Sequence, residues 1–283
     1  MAKGNINIIG TRSSGKTTYL RALASLPEYR QQHGKNNPYT IELVGPESDT
    51  LLQKAEKILF AKLDAEPTEI GEGHEIQSFD DLLDYAFDIS VKKHWFRPTQ
   101  TFRIVARDYP GEVFTNLLNP KKFINNVHQV FLDELFVDSV GCMIMLTGWE
   151  DKIDNSYRVI MENFISLMKS HKRINNFKLA IAMSKCERGE IWTGRLEPEI
   201  DLFQVHLPKT RQVLRDTIPA HNLRFFAISS FGVISNTDPR PNRTDISWAK
   251  ELRSVLREPS TWKPYNLIEP LYWLNQESKP AKS

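Results

Sequence analysis

The sequence has few cysteines, no long apolar run and almost no net charge. Two cysteines, Cys142 and Cys186, are too few for a disulfide framework and are typical of a reducing compartment. No run approaches the roughly 18 apolar residues of a transmembrane helix, and the N-terminal residues lack a signal-peptide core. The formal charge of +2 argues neither for nor against nucleic acid. We therefore expect a cytoplasmic protein without membrane insertion.

The stretch Gly10–Thr17 matches the Walker A pattern, in which a glycine and four further residues precede Gly-Lys-Thr. An apolar run ending at Ile9 precedes it, and residues 18–23 continue with helical spacing. The motif thus lies between a predicted strand and a predicted helix, which is the context of a phosphate-binding loop. We predict that this loop binds the phosphates of a nucleotide.

Each residue type in the loop has a chemical reason. Gly10 and Gly15 permit backbone conformations in which main-chain N–H groups converge on phosphate oxygens, and the helix start adds its positive dipole end. Lys16 is expected to reach the β- and γ-phosphates, and the Thr17 hydroxyl to bind Mg²⁺. The predicted phosphate ligands are Gly10, Ser13, Ser14, Gly15, Lys16, Thr17 and Thr18.

A second candidate follows the predicted strand 101–106. In a P-loop fold, the carboxylate that organises Mg²⁺ lies at this kind of strand end, which predicts that role for Asp108. Gly111 would turn its N–H towards the γ-phosphate. The same residues are also typical of a surface turn, which stays the alternative interpretation.

Strands and helices alternate along the chain. This predicts an α/β fold with three layers and a doubly wound, mainly parallel sheet. The segments 85–91 and 101–106 are expected to form a hairpin that adds one antiparallel edge strand. Residues 39–63 are interpreted as an insert. We expect a single domain over residues 1–276, followed by the polar tail 277–283.

Four loops in this order resemble those of P-loop GTPases of the Ras-like, translation-factor-related class. After Gly10–Thr17, the stretch Asp108–Gly111 resembles the D-x-x-G motif, Ser184–Glu187 resembles [NT]-K-x-D, and Ala227–Ser230 resembles the terminal S-A loop. The Asp-x-Pro-Gly-Glu-x-Phe form and the late Trp262-x-Pro are most similar to poorly characterised bacterial double-GTPase-like proteins.

The resemblance implies that the chain binds GTP or GDP with Mg²⁺. Lys185 would pack along the guanine, and Glu187 stands where the family has Asp; its carboxylate can still accept two N–H bonds from the base. Ser184 would tie this loop to the phosphate loop, and Ser229 and Ser230 would complete the base site. The alternative for Lys185 and Glu187 is a solvated surface pair.

The resemblance also implies residues for hydrolysis. Thr68 is the candidate switch threonine that meets Mg²⁺, with Thr99 and Thr101 as rivals. Glu112 stands where Ras-like enzymes carry the glutamine that orients water. The predicted catalytic residues are thus Lys16, Thr68 and Glu112, and the predicted metal ligands are Thr17, Asp108 and Thr68.

We expect a GTP-binding switch that hydrolyses GTP slowly and acts with a protein effector or an activating partner. One alternative is a nucleotide-gated interaction module in which hydrolysis is vestigial. Another is an ATP-using P-loop enzyme, although no predicted strand ends in a hydrophobic-Asp-Glu Walker B pair. The basic cluster 92–97 is the only feature in favour of nucleic acid, and we interpret it as a solvated hairpin tip.

Overall fold

Strands and helices alternate through the part of the chain that the computed structural model describes. The described residues are 5–32, 39–45, 51, 84–91, 100–107, 111–119, 131–132, 135–137, 139–148, 152–248 and 251–276. The strands are β1 (Asn5–Gly10), β2 (Tyr39–Val44), β3 (Asp84–Val91), β4 (Gln100–Arg107), β5 (Ser139–Leu146), β6 (Lys178–Met183), β7 (Leu223–Ala227), β8 (Arg243–Trp248) and β9 (Glu251–Leu256). The α-helices named below are α1 (Lys16–Gln32), α2 (Gly111–Thr115), α3 (Ile153–Ser170), α4 (Gln204–His206), α5 (Pro208–Thr217) and α6 (Glu269–Asn275).

Four strands form a parallel sheet in the order β1-β5-β6-β7. Ile8 of β1 lies opposite Met143 of β5, and Ile144 of β5 lies opposite Ile181 of β6. Every residue of β6 is buried, as is typical of a parallel strand covered on both faces. The predicted α/β class with a mainly parallel sheet is therefore confirmed.

The antiparallel part of the fold is larger than one edge strand. The hairpin predicted from segments 85–91 and 101–106 exists as β3 and β4, and β4 packs beside β1. In addition, β2 pairs with β3 along its whole length, from Tyr39 opposite Val91 to Val44 opposite Ala86. Residues 39–44 are thus the edge strand of a three-stranded sheet, in which Ile41 is buried while Thr40 and Glu42 are exposed.

The core lies on both faces of the parallel sheet. One face carries Ile8, Met143 and Met145, and α1 and α6 cover it. The other face carries Ile144 and Ile181, and α3 and α5 cover it. This is the three-layer arrangement expected from strands whose successive side chains point to opposite faces.

The last described part of the chain contains a hairpin that the sequence analysis did not predict. β8 and β9 pair in antiparallel fashion, with Arg243 opposite Leu256. Short 3₁₀ and π-helical turns connect β6 to α5, and α6 follows the hairpin from Glu269 to Asn275. Among the described helices, none combines the length and the apolar character needed to cross a membrane.

Candidate functional site

The four parallel strands end at one edge of the sheet, where the residues that follow them surround a cavity open to solvent with about 280 Å³ of empty space. Ligands of open α/β sheets bind at this edge. The predicted site residues that line it are Ser14, Gly15, Thr18, Ser184, Lys185, Glu187 and Ser230. Met145, Ile228 and Phe231, which were not predicted, supply its apolar lining.

The phosphate loop begins where β1 ends. Ser13 and Gly15 have positive φ angles of 61° and 89°, and the Ser14 N–H donates to the Thr11 carbonyl at 3.2 Å. A Cβ on Gly10 would lie 2.5 Å from the Met145 carbonyl oxygen, so only glycine fits between the loop and β5. The pattern of glycines in the motif therefore has a steric cause in this fold.

Two polar side chains of the loop are buried. The Lys16 ammonium donates to the carbonyls of Gly10 and Thr11 at 3.0 and 3.2 Å, and the residue is 7% exposed. The Ser14 hydroxyl is fully buried and has no hydrogen-bond partner among the described residues. Thr17 is half-buried in the first turn of α1. A buried hydroxyl without a partner is costly, so this lining is suited to an anionic or polar ligand.

Gly111 lies against the phosphate loop. A Cβ at this position would lie 2.2 Å from the Arg12 amide nitrogen, so a larger residue would push the two segments apart. The predicted adjacency of the D-x-x-G glycine and the phosphate loop is therefore present. Glu112 follows in α2, but its side chain, together with Asp108 and Thr68, lies outside the described residues.

The loop after β6 is fastened to the phosphate loop. The Ser184 hydroxyl donates to the Ser14 carbonyl at 2.7 Å, and the Lys185 ammonium donates to the Ser13 carbonyl at 2.6 Å. Lys185 itself has a positive φ of 56°. Burial, with the cations Arg243 and Arg188 nearby, lowers the pKa of Lys185 to about 8. These two tertiary bonds fix the relative position of segments about 170 residues apart in sequence.

Glu187 is fully buried, which excludes a solvated surface pair for this residue. Neither carboxylate oxygen has a hydrogen bond of good geometry among the described residues, although the nearby Ser229 hydroxyl and the main chain of Glu187 lower its pKa. The Arg243 guanidinium, whose Nη1 lies 3.9 Å from Oε1, forms a long ion pair with it. Burial raises the pKa of Glu187. Because Glu187 lines the cavity, the lone pairs of its ionised carboxylate are available to N–H donors of a ligand.

The loop after β7 is held by a later segment of the chain. Ser229 pairs through its main chain with Tyr265, and its hydroxyl accepts from the Gly232 N–H at 2.7 Å. The indole N–H of Trp262, a fully buried residue, donates to the Ser230 carbonyl at 2.8 Å. The segment 262–265 therefore shapes one wall of the cavity.

Arg243 and Trp262 are the functional candidates that the sequence analysis missed. Trp262 was noted only as part of a resemblance, and its contact with Ser230 follows from tertiary structure. Arg243 ends a proline-containing stretch that was interpreted as a loop, and no local pattern in one sequence links it to Glu187.

No known protein family and no curated protein matches the sequence. Among solved structures, the chain is similar to the S. cerevisiae Ski7 GTPase-like domain bound to GDP and inorganic phosphate, with 15% identity and a TM-score of 0.38. The same domain bound to GTP gives 14% identity and a TM-score of 0.35. Both alignments cover 81% of this chain and 44% of the Ski7 chain, so this chain spans less than half the length of the Ski7 chains. Our fold assignment rests on the strand order above.

Proposed function

We propose that this chain binds GTP and GDP with Mg²⁺ and acts as a switch that hydrolyses GTP slowly. One observation carries the proposal: a buried carboxylate without a hydrogen-bond partner, Glu187, lines the same cavity as Ser14 and Gly15 of a phosphate loop. Such a cavity offers acceptors to a base at one end and N–H donors to phosphates at the other. The residues present therefore fit a purine nucleotide with N–H donors on its base.

On the phosphate side, the main-chain N–H groups of residues 13–18 would hold the α- and β-phosphates at the start of α1. The Lys16 ammonium now bonds two carbonyls of its own loop, and it would transfer one of those bonds to a phosphate oxygen. Gly111, packed against Arg12, would turn its N–H towards the same region. Phosphoryl transfer depends mainly on such positioning and charge stabilisation.

On the base side, the bond from Lys185 to Ser13 holds its aliphatic stem beside the cavity, where it would pack along the base. Glu187 would accept the two N–H bonds of the guanine edge. Adenine presents an acceptor nitrogen where guanine presents an N–H, so a carboxylate discriminates between them.

For hydrolysis, we propose that Thr17 and Asp108 hold Mg²⁺ with Thr68, and that Glu112 orients the attacking water. A bound Mg²⁺ would neutralise charge that develops on the phosphate oxygens. Glu112 carries a negative charge near the γ-phosphate, so we expect a turnover near the unassisted Ras rate of about 10⁻⁴ s⁻¹ without a partner. We further propose one domain over residues 1–276, a cytoplasmic location and an effector or activating protein.

The test is a titration of the full chain with GTP, GDP and ATP, with and without Mg²⁺, by isothermal calorimetry. We expect guanine nucleotides to bind at least tenfold more tightly than ATP, about 1.4 kcal/mol. GTP turnover is then measured for the wild type and for Asp108→Ala, which should lose Mg²⁺-dependent hydrolysis. A tenfold preference for ATP would contradict the proposal. GTP binding without turnover, even with cell extract added, would favour the interaction module.

A comparison of two bases, guanine and xanthine, tests whether Glu187 contacts the base. Glu187→Gln replaces one acceptor by an N–H donor, which complements the carbonyl that xanthine carries in place of the guanine amino group. We expect this variant to lose affinity for GTP and to gain affinity for XTP. Equal losses for all nucleotides would show that Glu187 supports the fold but does not read the base.

A further inference from the structure

The β8–β9 hairpin brings a cation to the base site. Arg243, the first residue of β8, is only 8% exposed, and its Nη1 lies 3.9 Å from Oε1 of Glu187. That distance is too long for a hydrogen bond, since N–H donors in proteins lie within about 3.2 Å of their acceptors. The guanidinium therefore acts on the carboxylate through its charge and leaves the lone pairs of Glu187 available to a ligand.

The hairpin itself keeps Arg243 from moving closer. Asp245 accepts hydrogen bonds from Nε and Nη2 of Arg243, and Ser254 of β9 bonds both Arg243 and Asp245. The guanidinium also lies over the ring of Phe231, 5.7 Å from its centroid, and Phe231 lines the cavity. The position of the cation is thus set by two strands and by the loop after β7.

The charges around Glu187 come from two elements. Lys185 and Arg188 belong to its own loop, and the Lys185 ammonium bonds the Ser13 carbonyl. The Cys186 thiol, whose pKa burial raises, stays neutral near physiological pH. Arg188 lies 3.6 Å from Asp245, and that carboxylate offsets part of the positive charge of the hairpin. The Ser229 hydroxyl and the main chain of Glu187 also lower the pKa of this carboxyl, and Arg243, with its Nη1 3.9 Å from Oε1, lowers it more than Arg188 does.

We propose that Arg243 is a positioning residue of the base site, which keeps Glu187 ionised in its buried place and makes nucleotide affinity depend on the β8–β9 hairpin. This inference rests on the proposed function, because it assigns the ionised form of Glu187 to base binding. A buried carboxylate otherwise favours its protonated form, which accepts fewer hydrogen bonds. Loss of the cation would therefore weaken guanine binding by lowering the fraction of ionised Glu187.

The experiment measures the Kd for GDP with Mg²⁺ between pH 6 and pH 9 for the wild type, Arg243→Gln and Arg243→Lys. Without the guanidinium, the pKa of Glu187 rises, so Arg243→Gln should bind less tightly at low pH and recover as the pH rises. A one-unit rise in that pKa changes the affinity up to about tenfold below it. Arg243→Lys retains a positive charge and should keep a flatter profile than Arg243→Gln.

Two controls separate this role from a structural one. Arg257→Gln removes a hairpin arginine that bonds Thr244 and the Arg243 carbonyl, and it should leave the pH profile unchanged. Inorganic tripolyphosphate, a ligand without a base, should bind Arg243→Gln as it binds the wild type. A loss for Arg243→Gln that is equal at every pH, or no loss at all, would overturn the inference.

The outcomes also distinguish the two proposals. A wild type that binds no guanine nucleotide would contradict the proposed function itself, before Arg243 is tested. A wild type that binds GDP while Arg243→Gln shows an unchanged profile would contradict only the inference. If circular dichroism shows that Arg243→Gln does not fold, Arg243→Lys is compared with the wild type instead. A GDP affinity that depends on pH much more steeply in Arg243→Lys than in the wild type would then overturn the inference.

Discussion

The proposed phosphate side and the proposed base side of the cavity are built in different ways. The phosphate loop is one contiguous stretch, Gly10–Thr17, whose shape follows from glycines and main-chain hydrogen bonds. The base side is assembled from three distant segments: the loop 184–187, the loop 228–232 and the hairpin that carries Arg243. Its central polar residue, Glu187, is buried without a hydrogen-bond partner among the described residues.

This difference teaches which half of the site depends on the rest of the fold. A loop formed by local backbone conformation keeps its shape wherever a strand and a helix flank it. A site formed by distant segments depends on each tertiary contact, and a buried carboxylate without hydrogen bonds costs stability in the absence of ligand. We therefore expect mutations on the phosphate side to act on binding, and mutations on the base side to act on both stability and binding.

The largest effect is expected from Lys16→Ala on the phosphate side. Loss of a charged partner of a ligand costs about 2–5 kcal/mol, so the affinity for GTP and for inorganic tripolyphosphate should both fall by roughly thirtyfold or more. Calorimetric titration measures both, and the melting temperature should change little. Lys169→Ala, which removes an exposed lysine at the end of α3, is the matched control. Retained tripolyphosphate binding would show that the loop is not a phosphate site.

An intermediate effect is expected from Trp262→Phe on the base side. The smaller ring loses the bond to the Ser230 carbonyl and leaves space in the core, which costs about 1–3 kcal/mol of stability. GDP affinity should fall severalfold, while tripolyphosphate should bind as before. Urea unfolding and calorimetry measure the two quantities. If tripolyphosphate affinity falls by the same factor as GDP affinity, the two sides of the cavity are not independent.

The smallest effect is expected from Glu187→Gln on stability. Burial raises the pKa of Glu187, so the folded state keeps its proton over a pH range in which the unfolded chain has lost it. Protonated Glu187 thus stabilises the folded wild type fully below the ordinary pKa of glutamate. This stabilisation is lost as the pH rises through the raised pKa of the folded state. Glutamine does not titrate, so the variant should be more stable than the wild type at neutral pH.

That advantage should shrink as the pH falls towards 4.5, the ordinary value for this carboxyl. Thermal unfolding of the ligand-free protein at several pH values measures it. Glu190→Gln, at an exposed glutamate in the same region of the chain, is the control for removal of one carboxylate. A variant that is less stable than the wild type at neutral pH would mean that Glu187 makes contacts that stabilise the ligand-free fold.

The phosphate side was predictable from the sequence because its determinants are local. The strand before Gly10, the helix after it and the glycine spacing stand in one short stretch, and the structure brings Gly111 against that stretch. The alternation of strands and helices likewise predicted the parallel sheet and its two covered faces. The roles of Thr68, Asp108 and Glu112 stay predictions.

The base side was predictable only in part. The residues of loop 184–187 were found, but the environment of Glu187 depends on a hairpin with no local signal. Ala249 and Lys250, which separate the two hairpin strands in sequence, are not the Asn-Gly or Asp-Gly residues of typical tight hairpins. The pairing of β2 with β3 was missed for a similar reason, since register between distant strands depends on packing that one sequence does not display.

The hydrogen bonds that Trp262 and Tyr265 form with residues 229–230 have a consequence for biosynthesis. Chains emerge from the ribosome with the N-terminal end first, at about 5–20 residues per second, and fold as they emerge. A nascent chain that already contains all four strands of the parallel sheet still lacks the segment that shapes the loop after β7. The proposed base wall is therefore completed after the sheet, and its contacts with a nucleotide base become possible only in chains translated through residue 265.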